Sequence, residues 1–434
     1  MLIRNATLAD GDTCDVRISG DRITAVAGEG ESLSTSDDDH DEGEPRVIDA
    51  SGKRLLPGMI DVHVHFRQPG FGHKETWETG TKSAAAGGVT TIVDQPNTEP
   101  PTVNEAAFAK KHEYADQAHI DFGINGGVTG DWDPDSLFDQ PLFALGEVFL
   151  ADSTGEMGID TSLYVDALER ASEADVTVTV HAEDETLFNE SSKSRTDADA
   201  WSAYRRPKAE AKAVEQACTL AAERDSQIHV AHTSTPQGID AAADHGMTCE
   251  VTPHHLFLSR DDYPELDTHG VMNPPLRREG LRRDVYDRVV DGTVDMIATD
   301  HAPHTATEKQ TGVWDAPSGV PGVETVLPLL LAEAEHGGFD YERVRDLTAT
   351  NPADTFGLPN RGRVQEGNYA DLVLVDPDTI TEITPDRLHT KCTWTPFEGR
   401  DAIFPEWTML RGDYVFERDV DDPFGEPRGK NVRS

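Results

Sequence analysis

Eight short apolar runs with strand character, separated by amphipathic stretches of helical length, recur between residues 59 and 299 and constrain the fold more than any other feature. The runs are 59–63, 89–94, 120–125, 143–149, 176–181, 227–232, 247–252 and 294–299. Between them 104–117, 162–174, 208–224 and 281–290 read as amphipathic helices. Strands alternating with helices build parallel sheets. Eight such units in about 300 residues predict an α/β fold, a TIM (β/α)8 barrel.

The flanks have a different texture. Residues 1–56 read as short strands at 1–5, 14–19, 22–27 and 46–48, broken by Gly-Asp turns. They also hold an acidic run, 34–45, in which Asp37, Asp38, Asp39, His40, Asp41 and Glu42 read as a solvated loop. Beyond residue 357, the segments 362–364 and 370–376 return to short-strand texture. The expected organisation is therefore a catalytic barrel over 57–356, inserted between two flanks, 1–56 and 357–434, that together form a small β-sandwich.

Charge narrows the partners. The 38 basic residues face 81 acidic ones, for a net charge of −43, and only 11 of the basic residues are lysine. Such a field repels nucleic acid and anionic membranes. Acid spread along the whole chain suits a protein kept hydrated in concentrated salt, where charges are screened within a few ångströms. Cys14, Cys218, Cys249 and Cys392 lie far apart, which fits a reducing cytosol. The first residues lack the apolar core of a signal peptide, and no window approaches the roughly 20 apolar residues of a membrane span. The expectation is a cytoplasmic protein that handles a small molecule.

In a barrel of this kind chemistry sits at the C-terminal strand ends. Those ends carry His63 and His65 on the first strand, Glu147 on the fourth, His181 on the fifth, His232 on the sixth and Asp300 on the eighth. Alternate residues of a strand share a face, so His63, His65 and Arg67 are expected to point the same way. Mixed nitrogen and oxygen donors suit Zn²⁺, with Mn²⁺, Co²⁺ or Ni²⁺ accommodated by the same geometry. His254 and His255 follow the seventh strand and His229 precedes His232; these three are expected to support the ligands rather than to bind metal.

Asp61-Val62-His63-Val64-His65, Val180-His181-Ala182-Glu183, Ala231-His232-Thr233-Ser234 and Thr299-Asp300-His301-Ala302-Pro303-His304 resemble the amidohydrolase superfamily. Phe66-Arg67-Gln68-Pro69-Gly70, Gln95-Pro96-Asn97-Thr98, Met272-Asn273-Pro274-Pro275-Leu276-Arg277 and the spaced Ala316-Pro317, Gly319, Gly322, Glu324 are similar to its dihydroorotase family. The resemblance covers about residues 55–374, and Arg67 with His304 separates it from hydantoinases and allantoinases. It implies reversible cyclisation of N-carbamoyl-L-aspartate to L-dihydroorotate in pyrimidine biosynthesis. It also implies Asp300 as the acid/base, and Arg67, Asn97, His304 and Asn273 as substrate contacts.

One departure concerns the metal bridge. Many relatives join two metals through a carbamylated lysine on the fourth strand, whereas this chain has no lysine between Lys111 and Lys193. Glu147 falls at the lysine position and offers two oxygens; Asp152 is the competing candidate. Two zinc ions per subunit are expected, a single-ion site stays open, and so do a homo-oligomer and association with aspartate carbamoyltransferase. Two other readings compete: another cyclic-amide hydrolase, such as allantoinase or dihydropyrimidinase, and a non-catalytic scaffold. Intact ligands argue against the scaffold.

Overall fold

The computed structural model describes residues 1–28, 33, 46–151 and 157–434. The acidic run with His40, and Asp152, lie outside the described residues.

The apolar stretch 55–62 is divided between two sheets. Arg54–Pro57 pairs antiparallel with Leu372–Val375, whereas Met59–Val64 pairs parallel with Val89–Asp94. Gly58 is the crossing point. A Cβ there would meet the Thr90 side chain at 2.2 Å, so the two backbones approach this closely only because position 58 lacks one. Eight inner strands then follow in chain order. Met59–Val64, Val89–Asp94 and Asp121–Ile124 form one parallel sheet. Leu145–Phe149, Val178–His181, Ile228–Val230, Thr248–Val251 and Met296–Ile297 form a second. Parallel bridges Gly126–Leu145 and Val64–His301 join the two sheets at both edges.

These strands are buried on both faces, as continuous apolar runs require. Helices cover them. Thr161–Glu173 buries Tyr164, Ala167, Leu168 and Ala171, the three- and four-residue spacing of one face. The Asn104 side chain caps Glu105–Ala115 by accepting from Ala107 N, and Asp160 caps Thr161–Glu173 in the same way.

The flanks join one eight-stranded sheet, in which Arg54–Pro57 and Leu372–Val375 are neighbours and Leu2–Thr7, Thr13–Ser19 and Arg22–Gly28 continue one edge. Leu372 and Leu374 face one apolar cluster with Ile3, Val16 and Trp407, while Val373 and Val375 face the core of the inner strands. The expected strand at 362–364 does not form, because Gly362 sits at φ +76 in a turn pressed against Ala349 O. Trp407–Leu410 and Asp413–Glu417 extend the sheet instead. No described helix is long and apolar enough to cross a membrane.

Candidate active site

All six residues expected as ligands converge at the C-terminal ends of the inner strands, each at most 9 % exposed in its side chain. Met59–Val64 delivers His63, and His65 follows it directly. The strand ends before Arg67, which takes φ +65, so strand alternation does not set its direction. His232 and Asp300 also hold positive φ, at +33 and +45. Such backbone costs about 1–3 kcal/mol per residue and persists only where surrounding structure imposes it.

The outer nitrogens of the imidazoles are held, and the inner ones meet. His63 Nδ1 lies 2.6 Å from Glu250 Oε1, His65 Nδ1 2.7 Å from Asn97 Oδ1, and His181 Nε2 3.2 Å from Glu183 Oε2. Each of those nitrogens donates, because its partner is a carboxylate or amide oxygen. Lone pairs are then left pointing inward. His65 Nε2 is 3.0 Å from Asp300 Oδ1, and His63 Nε2 is 3.4 Å from Glu147 Oε2 and 3.7 Å from Asp300 Oδ1. His181 Nδ1 and His232 Nε2 lie 3.1 Å apart and 3.0 and 2.5 Å from Glu147 Oε1.

Acceptors facing acceptors in a buried site call for a cation between them. Buried His63 Nε2 has no hydrogen-bond partner, which fits a coordinating nitrogen. Two groups could each hold an ion, His63–His65–Glu147 and Glu147–His181–His232, and Glu147 belongs to both. A proton can serve as that cation too: burial disfavours a charged His63, yet Glu250 and Glu147 outweigh it and raise its pKa well above the ordinary value, so a proton and a metal compete for Nε2. Burial likewise opposes ionised Asp300, but His65 and His63 hold its carboxyl below the usual range. Asp300 is therefore ionised at neutral pH.

Over this cluster opens a small cleft, lined by Arg67, Asn97, Asn273, Ser318 and Gly319 together with His65, Glu147, His181, His232 and Asp300. Arg67 is 3 % exposed, and burial pushes its pKa down to about 10. Its Nε donates to Pro303 O at 3.3 Å and its Nη2 lies 3.1 Å from His304 Nε2. Trp201 Nε1 donates to Asn273 Oδ1 at 3.1 Å. His255 Nε2 donates to Pro274 O at 2.9 Å, so His255 supports the Asn273 loop.

Sequence reasoning missed two supports. Glu250 bonds both His63 and His229 and accepts from His232 N at 3.1 Å. A lone acid inside the apolar run Thr248–Val251 was the available signal. Gln95 turns away from the cleft, where its Oε1 accepts from Glu147 N at 2.9 Å and from Asn125 Nδ2 at 3.0 Å.

The amidohydrolase family profile matches residues 54–402. A dihydroorotase of Halobacterium salinarum is 59 % identical, over 100 % of this chain and 99 % of its own. A dihydroorotase of Methanosarcina acetivorans is 41 % identical over 93 % and 89 %. Among solved structures, L-hydantoinase from Arthrobacter aurescens superposes with a TM-score of 0.91 at 26 % identity, covering 99 % of this chain and 98 % of its own. Dihydropyrimidinase from Brevibacillus agri gives 0.87 at 28 % identity, over 100 % and 98 %.

Proposed function

Because the chain belongs to the amidohydrolase family, we propose that its histidine-lined cleft performs the dihydroorotase reaction with two zinc ions, on a closed (β/α)8 barrel. The activity is the reversible cyclisation of N-carbamoyl-L-aspartate to L-dihydroorotate in de novo UMP biosynthesis, as in relatives up to 59 % identical over the full chain. The two bridges that join the inner sheets support the closed barrel over 57–356. The shared eight-stranded sheet supports one small β-domain built from 1–56 and 357–434, the expected β-sandwich. Net charge −43 supports a salt-rich cytoplasm as the setting.

The observation that carries the substrate is Arg67. Its guanidinium lines the cleft over the histidine cluster, where its Nε donates to a backbone carbonyl and its Nη2 lies against an imidazole nitrogen. Both interconverted molecules keep a carboxylate on the carbon bonded to the inner ureido nitrogen, and a planar forked donor suits it. Asn97 and His304 share that carboxylate; Asn273 takes the ring amide.

His63, His65, Glu147, His181, His232 and Asp300 would hold the metal, with Glu147 as the bridge. Divalent ions bound there supply Lewis-acid polarisation of the scissile carbonyl and make water acidic enough to attack near neutral pH. Asp300 takes a proton from the attacking water and returns it to the amide nitrogen as the ring opens. In cyclisation it removes a proton from the terminal ureido nitrogen.

The hydantoinase-like superpositions favour a second reading, hydrolysis of an uncharged cyclic amide. One assay separates them. In concentrated KCl with Zn²⁺, the protein should turn over L-dihydroorotate and N-carbamoyl-L-aspartate but neither allantoin nor dihydrouracil. Turnover confined to the last two would overturn the assignment.

A further inference from the structure

Lys74 lies immediately behind the carboxylate clamp and has no part in the chemistry described so far. Its side chain is 13 % exposed; Nζ lies 3.0 Å from His304 Nδ1 and 3.3 Å from Glu308 Oε1. His304 is fully buried, and its other nitrogen, Nε2, faces two groups of opposite kind. Ser318 O, an acceptor, is 2.9 Å away, and Arg67 Nη2, a donor, is 3.1 Å away. The geometry therefore turns on where the single imidazole proton sits.

An ammonium can only donate, so Nδ1 must accept from Lys74. The proton then belongs on Nε2, which donates to Ser318 O. Arg67 Nη2 faces an N–H, so its own donor is not taken up by His304. With the proton on Nδ1 instead, Nε2 would present a lone pair, absorb the Arg67 donor and repel a carboxylate. Burial and the cations Arg67, Lys74 and Lys309 hold the imidazole neutral, well below the ordinary histidine range. The choice is thus between two neutral tautomers.

We propose that Lys74 is a positioning residue: by donating to His304 Nδ1 it fixes the Nε2–H tautomer, whose proton goes to Ser318 O, so that no imidazole lone pair competes with the substrate carboxylate for the Arg67 Nη2 donor. This rests on the reading of Arg67 as the carboxylate clamp. Glu308 sets the lysine in place by pairing with it from the turn that follows His304.

The tautomer can be read directly in the zinc-loaded enzyme by long-range ¹H–¹⁵N correlation on ¹⁵N-histidine-labelled protein, with the His304 signals identified by their loss in His304→Gln. Wild type should show a protonated Nε2 and a bare Nδ1. In Lys74→Met a protonated Nδ1 should appear. KM for L-dihydroorotate should rise about ten- to hundredfold, the equivalent of one hydrogen bond to a charged group, with kcat falling less. Lys74→Arg, which keeps a cationic donor, should restore both. A protonated Nδ1 in wild type overturns the proposal even if Lys74→Met does not fold, and so does Lys74→Met with unchanged tautomer and KM. Wild-type silence on dihydroorotate would sink the substrate reading instead, and the spectrum would still decide Lys74.

Discussion

A buried guanidinium that donates to one backbone carbonyl and lies against one imidazole is costly unless an anion completes it, so Arg67 is the residue where structure and substrate are most tightly tied. Arg67→Ala should raise KM for dihydroorotate about ten- to hundredfold with a smaller loss in kcat, because the clamp acts on bound substrate as much as on the transition state. Asp300→Asn should do the reverse, lowering kcat by about 10²–10⁴ with KM and metal content largely kept. Steady-state kinetics of the pair checks both, and an unchanged KM in Arg67→Ala would sink the clamp. Glu147→Ala should lower the metal bound per chain, measured by elemental analysis; full occupancy would move the bridge to Asp152. The histidines and Asp300 were legible in the sequence because each ends an apolar run, and strand ends converge in this kind of fold. Glu250 was not, since its work is done between strands: it reaches from one inner sheet to His63 on the other, a relation that spacing along the chain does not carry. Arg67 was legible in identity but not in direction, because its backbone leaves the strand at positive φ.

At the scale of the element, the inner strands were legible because burial on both faces writes them as unbroken apolar runs. Six of the eight are shorter than their runs by one or two residues at one or both ends, most clearly at 294–299, where only Met296–Ile297 keeps ladder geometry before the chain turns into the site. The short strands of the C-terminal flank carried too little pattern; Trp407–Leu410 is defined by its partners on either side rather than by alternation. The turn after the site shows how small elements hold the chemistry. Thr305 and Glu308 form a capping box on Ala306–Lys309, with Glu308 Oε2 2.9 Å from Thr305 N. Burial alone would raise the Glu308 pKa, but these bonds from Thr305, with His73 and Lys74, lower it from 4.5 to about 2. A carboxyl depressed on folding stabilises fully above its unfolded value and loses that contribution as pH falls through the folded one. Glu308→Gln should therefore lower the urea midpoint at pH 7, and the gap to wild type should close as pH falls from about 4.5 towards 2. A gap independent of pH would show that packing, not charge, holds this turn.

Across the whole molecule, two opposing electrostatic arrangements meet. Inside, buried pairs tie the flanks to the inner strands: fully buried Asp121 accepts from Arg361 at 2.6 Å, from Arg411, and from Lys430 N at 2.9 Å. Outside, a net charge of −43 on 434 residues repels itself in every compact state. Salt acts on the two unequally. The Debye length is about 10 Å at 0.1 M and about 3 Å at 1 M, so added KCl screens exposed carboxylates far more than the buried Asp121 network. Repulsion should then dominate on dilution, and the flanks should come apart together with the inner strands because the network couples them. The expected outcome is a single thermal transition whose midpoint falls steadily as KCl is reduced from about 1 M to about 0.1 M. NaCl of equal ionic strength should support the fold nearly as well, whereas an uncharged osmolyte at equal osmolality should not. Calorimetry across that series checks the argument. A midpoint that ignores ionic strength would mean the acidic surface is already neutralised by bound cations, and two resolved transitions would mean that Asp121 does not couple the flanks to the strands.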